Sequence, residues 1–140
     1  MGKTIWHTPA GVRRAFINLH FGQMHYRFAR PRHPSRYTVL CFHISPSSGR
    51  AYGPLLARLG LDRIAIAPDT IGFGESTPPK NPCEIEDYAD NIVRLMDVLE
   101  LDKVDLIGMH TGSEIAVELA HKTRDRVNKL ILISAPVFTT

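Results

Sequence analysis

Apolar and polar positions change rhythm several times along the chain, and each change marks a structural element. RAFINLHFG (14–22) and MHYRFAR (24–30) are two β-prone stretches joined at the turn-prone Gly22-Gln23, a pattern that predicts a hairpin. The two prolines of PRHPSR fit neither a helix nor a central strand, so this stretch is a connection. YTVLCFHI (37–44) and RIAIAP (63–68) are nearly unbroken apolar runs, the pattern of strands covered on both faces. KVDLIGM (103–109) and VNKLILISAP (127–136) complete the set of strands.

Helical spacing separates these runs. RAYGPLLARLG (50–60) predicts a short helix closed by Gly60, and GSEIAVELAHKTRD (112–125) a longer one with Glu118 and Lys122 one turn apart. Between them Ile85, Ala89, Ile92, Met96 and Leu99 recur on one helical face. Asn81 is the expected cap of that helix, with Pro82 at its first position and Glu84 reaching back. Strands alternating with helices after a hairpin predict an α/β fold: a mostly parallel sheet with helices on both faces. The right-handed crossover rule predicts that 39–44, 64–68, 104–109 and 130–134 lie side by side in the order second, first, third, fourth.

Composition narrows the function classes. At 140 residues, 44% hydrophobic and 22% charged, the chain reads as one globular domain, residues 1–140. No apolar run has the length of a membrane span, and MGKTIWHTPAGVRRAF lacks the apolar centre of a secretory signal, so the expected compartment is the cytoplasm with no membrane partner. Two cysteines, Cys41 in a strand and Cys83 in a loop, make neither a disulfide framework nor a zinc site and read as reduced thiols. Net charge is +3, but residues 1–70 carry ten Lys/Arg against two Asp, and residues 71–140 seven against twelve Asp/Glu. The early arginines 13, 14, 27, 30, 32 and 36 are read as lying among alternating residues of the two early strands, where charge also blunts a sheet edge. With no aromatic platform or binding motif beside them, no nucleic-acid partner is expected.

Candidate chemistry gathers in three loops, each following a predicted parallel strand. They are HISPSSG (43–49), DTIGFGES (69–76) and GMHTGS (108–113). Ligands of open α/β sheets sit outside the C-terminal strand ends, so these loops should share one edge. GMHTG has the spacing of a strand–turn–helix elbow, with Gly108 and Gly112 flanking His110 at the tip. Gly72-Phe73-Gly74 lacks the third glycine of a dinucleotide fingerprint, and no helix begins there.

Together the loops resemble the α/β-hydrolase superfamily, in particular its haloalkane dehalogenase and epoxide hydrolase branch. HISPSSG is similar to that branch's H-G-x-P oxyanion loop through His43, Ser45 and Pro46, with Ile44 in place of glycine. DTIGFGES is similar to its D-x-x-G-x-G-x-S loop through Asp69, Gly72, Gly74 and Ser76, and GMHTG to the nucleophile elbow, usually serine-tipped. The resemblance spans roughly residues 13–138 and implies an α/β-hydrolase fold truncated after about six strands, the N-terminal part of a longer domain. The family's triad acid and histidine base come from later strands, so both are expected outside this chain. In the family the strand at 130–134 is an interior one; here it is expected at a free edge.

The resemblance implies a hydrolase acting on a small organic substrate, with His110 as the catalytic residue at the nucleophile position. An imidazole can serve there as nucleophile, base or hydrogen-bond donor. The backbone amides of Ser45 and Thr111 are the expected oxyanion donors, and His43, Pro46 and Asp69 the expected loop-fixing residues. Ser113 is expected to satisfy local backbone groups rather than attack a substrate. The remaining histidines, at positions 7, 20, 25, 33 and 121, read as surface or packing residues. No cofactor and no metal are implied. Two other readings stay open: a cofactor-free lyase-type reaction in which His110 moves a proton, and a non-catalytic binding protein. Oligomeric state is not legible.

Overall fold

A computed structural model describes residues 8–138, which leaves His7 outside the described residues. Strands β1 (Arg13–Leu19) and β2 (Gly22–Ala29) pair antiparallel through a tight turn, with Arg14 opposite Arg27 and Phe16 opposite His25. After them come β3 (Thr38–Phe42), α1 (Gly53–Leu59), β4 (Ala65–Pro68) and α2 (Ile85–Val98). The described elements end with β5 (Val104–Met109), α3 (Thr111–Lys122) and β6 (Val127–Ile133). Short 3-10 turns precede α1 at Gly49–Tyr52 and β6 at Arg124–Arg126.

One six-stranded sheet has the order β1-β2-β4-β3-β5-β6. Strands β4, β3, β5 and β6 are mutually parallel in the lateral order the pattern predicts, and β2 joins antiparallel on β4. Arg27 therefore lies on an interior strand, while Arg13 and Arg14 lie on the edge strand β1.

The apolar runs work because successive side chains face opposite sides of the sheet. Leu40, Phe42 and Leu106 point to one side and pack against Ile92 and Met96 of α2 and Ile115 and Leu119 of α3. Val39, Cys41 and Ile107 point to the other and pack with Tyr52 and with Leu56 of α1. Most stability of this kind comes from burying apolar area on both faces, at roughly 25 cal/mol per Å². Strand β6 is the exception. Among the described residues it pairs only with β5, and Leu130, Ile131, Leu132 and Ile133 are 39%, 51%, 41% and 38% exposed.

The structure trims the strands predicted at 37–44 and 127–136 to Thr38–Phe42 and Val127–Ile133, and it corrects the predicted start of the second helix. Helix α2 starts at Ile85, so Asn81 does not cap it and Pro82 lies before it. Glu84 is the N-cap in extended conformation, and the Asp87 carboxylate accepts its N–H at 2.9 Å. Glu86 and Asp87 also set negative charge in the first turn, where the helix dipole favours it.

Candidate active site

The three loops emerge at the same edge of the sheet, at the C-terminal ends of β3, β4 and β5. The elbow is the tightest. β5 ends at Met109, α3 begins at Thr111, and His110 between them has φ 51° and ψ −117°. A positive φ costs a non-glycine residue roughly 1–3 kcal/mol and persists only where surroundings enforce it. The flanking glycines do so by allowing the backbones to close up. A Cβ at Gly108 would stand 2.3 Å from the Gly112 carbonyl oxygen, and one at Gly112 would stand 2.2 Å from that of Phe42. The His110 N–H donates to the Ile133 carbonyl at 2.9 Å, which ties the tip to the end of β6.

This turn leaves the His110 side chain exposed. Its Nδ1 lies 3.5 Å from the Thr111 hydroxyl, at the outer limit of a hydrogen bond. Among the described residues no carboxylate or second imidazole bonds to it. As the first residue of α3, Thr111 has an N–H without an intrahelical acceptor, one of the free donors at any helix start. Ser113 is buried, and its hydroxyl donates to the Gly108 carbonyl at 2.8 Å, with that of Ile133 at 3.2 Å. The hydroxyl is engaged with the backbone beneath the tip.

In the first loop, His43 is buried and tied to the second loop. Its Nε2 accepts the Thr70 N–H at 3.1 Å and its Nδ1–H donates to the Ile44 carbonyl at 2.9 Å, which fixes a neutral ring. Burial is the main reason its pKa is lowered from 6.5; the Ile44 bond and the Asp69 charge oppose that shift. Ser45 is half-buried and Pro46 exposed, and the peptide between them is cis. Ile44 is not among the described non-glycine residues of positive φ, so the loop runs without the left-handed conformation a glycine would permit.

Asp69 is buried, and its Oδ1 accepts the Gly49 N–H at 2.7 Å while its Oδ2 accepts that of Glu75 at 2.9 Å. A further donor to Oδ2 is the His25 Nδ1–H at 2.9 Å. This pairing went unrecognised in the sequence, where His25 carries no motif; the only hint is that a buried carboxylate requires several donors. Ser76 completes the arrangement, accepting the His25 N–H at 3.0 Å and donating to the Asp69 carbonyl at 2.7 Å.

His110 and Ser45 thus follow neighbouring strands, and no hydrogen bond joins them. Two clefts, of about 790 and 1070 Å³, open in the surface, and neither is lined by His110 or Ser45. Among the described residues no three His, Cys, Asp or Glu side chains converge as metal ligands, and no helix is long and apolar enough to cross a membrane.

Comparisons with known proteins agree with this architecture. The soluble epoxide hydrolase of Corynebacterium sp. (strain C12) is 30% identical over 111 residues, 79% of this chain and 37% of that protein. The 2-hydroxymuconate semialdehyde hydrolase of Pseudomonas sp. (strain CF600) is 35% identical over 82 residues, 58% of this chain and 29% of that protein. The solved structure of the epoxide hydrolase CorEH superposes with TM-score 0.82 at 27% identity, over 89% of this chain and 42% of that one. The haloalkane dehalogenase DatA from Agrobacterium tumefaciens C58, at 22% identity and TM-score 0.78 over 90% of this chain and 42% of that one, shares the fold. The chain therefore spans about a third of the length of these two curated relatives. The sequence model of the alpha/beta hydrolase fold matches residues 37–140, and with the sheet order, the crossovers and the turn after β5 it establishes that the chain belongs to the α/β-hydrolase family.

Proposed function

We propose that this chain carries the elbow and oxyanion loop of a hydrolase that cleaves an ester, amide or related bond in a small organic substrate. The observation that carries this reading is the exposed His110 on a positive-φ tip between two glycines that admit no side chain. In the proposed step a neutral imidazole nitrogen of His110 adds to the substrate carbonyl carbon. The amides of Thr111 and Ser45 hold the resulting oxyanion. As it collapses, the bond to the alcohol or amine breaks and that group leaves with the proton shed by the other imidazole nitrogen. Water then cleaves the acyl-imidazole, releasing the acid and restoring the ring. His43, Pro46 and Asp69 serve as loop-fixing residues in this scheme. Residues outside the described ones supply any acid and base that orient His110, in keeping with the share of the relatives' length that this chain spans. The proposal assigns the cytoplasm as compartment and neither a cofactor nor a metal.

A nitrophenyl-ester assay tests it on the chain and on the longer protein containing it. His110→Ala is expected to lower turnover at least about a hundredfold, the lower end for losing a side chain that takes part in the chemistry. Unchanged turnover in that variant, or no turnover of esters or amides by a chain extended to the relatives' length, would reject the reading.

A further inference from the structure

The 43–49 loop is held at both ends by consecutive residues of a neighbouring segment. Thr70 bonds to His43 at one end and Asp69 to Gly49 at the other, with Ser45 between. Where the Ser45 amide points therefore depends on where the Asp69 carboxylate sits. That carboxylate is 99% buried and receives the N–H groups of Gly49 and Glu75 and the Nδ1–H of His25. Arg27 contributes only at 3.9 Å.

His25 is fully buried, and the aromatic ring of its cross-strand neighbour Phe16 packs 5.0 Å away. Because its Nδ1 faces a carboxylate oxygen, Nδ1 carries the hydrogen. Among the described residues its Nε2 has no hydrogen-bond partner. A buried polar atom without a partner is costly, and an apolar residue of similar size would avoid that cost. Histidine here thus carries the cost of an unpartnered buried nitrogen, and what it supplies is one donor on Asp69.

We infer that His25 is a positioning residue for the proposed oxyanion loop: its Nδ1–H fixes the Asp69 carboxylate, which fixes Gly49 and hence the Ser45 amide. The catalytic half of this inference rests on the role proposed above for Ser45. The structural half stands on the hydrogen bonds alone.

Asparagine and glutamine separate a specific role from a general one. The side-chain amide nitrogen of asparagine occupies the place of histidine Nδ1, whereas that of glutamine reaches the place of Nε2. Hydrogen exchange read by mass spectrometry follows segments 45–50 and 72–77, with β5 as the reference. His25→Gln and His25→Leu are expected to speed exchange in both segments at least about tenfold, with His25→Asn within about threefold of wild type and β5 unchanged in each. Asn and Gln variants behaving alike would overturn the inference. So would loss of protection spread equally to β5, up to failure to fold, since His25 would then serve the fold as a whole. In the ester assay the Gln variant should lose kcat with KM retained, and the Asn variant should recover it. A wild-type protein without esterase turnover would reject the proposed function and leave the exchange result to decide the role of His25.

Discussion

Thr70 donates its backbone N–H to Nε2 of His43 across 3.1 Å, so one lone pair of a buried imidazole joins two loops. A proton on Nε2 would set two donors against each other. Burial already holds the His43 pKa below its ordinary 6.5. The folded chain keeps the ring neutral while the unfolded chain takes up a proton, so stability is full above 6.5 and is lost as pH falls from there through the folded-state pKa. Urea unfolding should show a lower midpoint at about pH 5.5 than at about pH 7.5, and His43→Asn should shrink that difference. An equal difference in the variant would mean that other groups control acid sensitivity.

Gly112→Ala tests the close approach beneath the tip. Its new methyl would meet the Phe42 carbonyl at 2.2 Å, a backbone atom with no flexible side chain to give way. Destabilisation of roughly 1–3 kcal/mol is expected, the usual cost of overpacking. Urea midpoints of wild type and variant measure it.

Ser113→Ala removes a hydroxyl committed to the Gly108 and Ile133 carbonyls. The expected cost is about 1 kcal/mol of stability, with ester turnover retained in folded protein. A loss of turnover as deep as that of His110→Ala would move the nucleophile to Ser113.

The thiols should divide by environment. Burial pushes the Cys41 thiol up to about 12, whereas Cys83 is half-buried in the loop before α2. Iodoacetamide at mildly alkaline pH should modify Cys83 in the folded chain and Cys41 only after unfolding. Peptide mass mapping reads the difference, and rapid native labelling of Cys41 would contradict the packing of β3.

Strand β6 offers its outer edge and four exposed aliphatic residues. A long apolar edge of this kind recruits other strands. Size-exclusion chromatography of the 140-residue chain should show association, and Ile131→Lys, which puts a charge on the edge strand, should reduce it. A monodisperse wild-type monomer would show the edge to be protected.

The parallel core was legible because its strands are apolar on both faces. In β3 the alternation of Val39 and Cys41 with Leu40 and Phe42 serves two separate packing layers. The three loops were legible because glycine, proline and aspartate punctuate them at fixed offsets. The start of α2 was not, since Asn81-Pro82 and Glu84…Asp87 both carry capping chemistry and spacing alone does not rank them. The winner is decided by which carboxylate closes on a free N–H. His25 escaped notice for another reason: a local pattern does not reveal that β2 lies against β4, and only that pairing brings its ring to Asp69.

The dihedral angles at His110 also govern which residues position 110 will accept. A β-branched side chain on a φ of 51° would be strained whatever chemistry it offered, whereas glycine would adopt it freely. The backbone is shaped by Gly108, Gly112 and the Ile133 carbonyl, none of which senses the chemical nature of the tip. The turn at position 110 is therefore set by its neighbours' backbone, and the side chain it carries is not what holds it in shape.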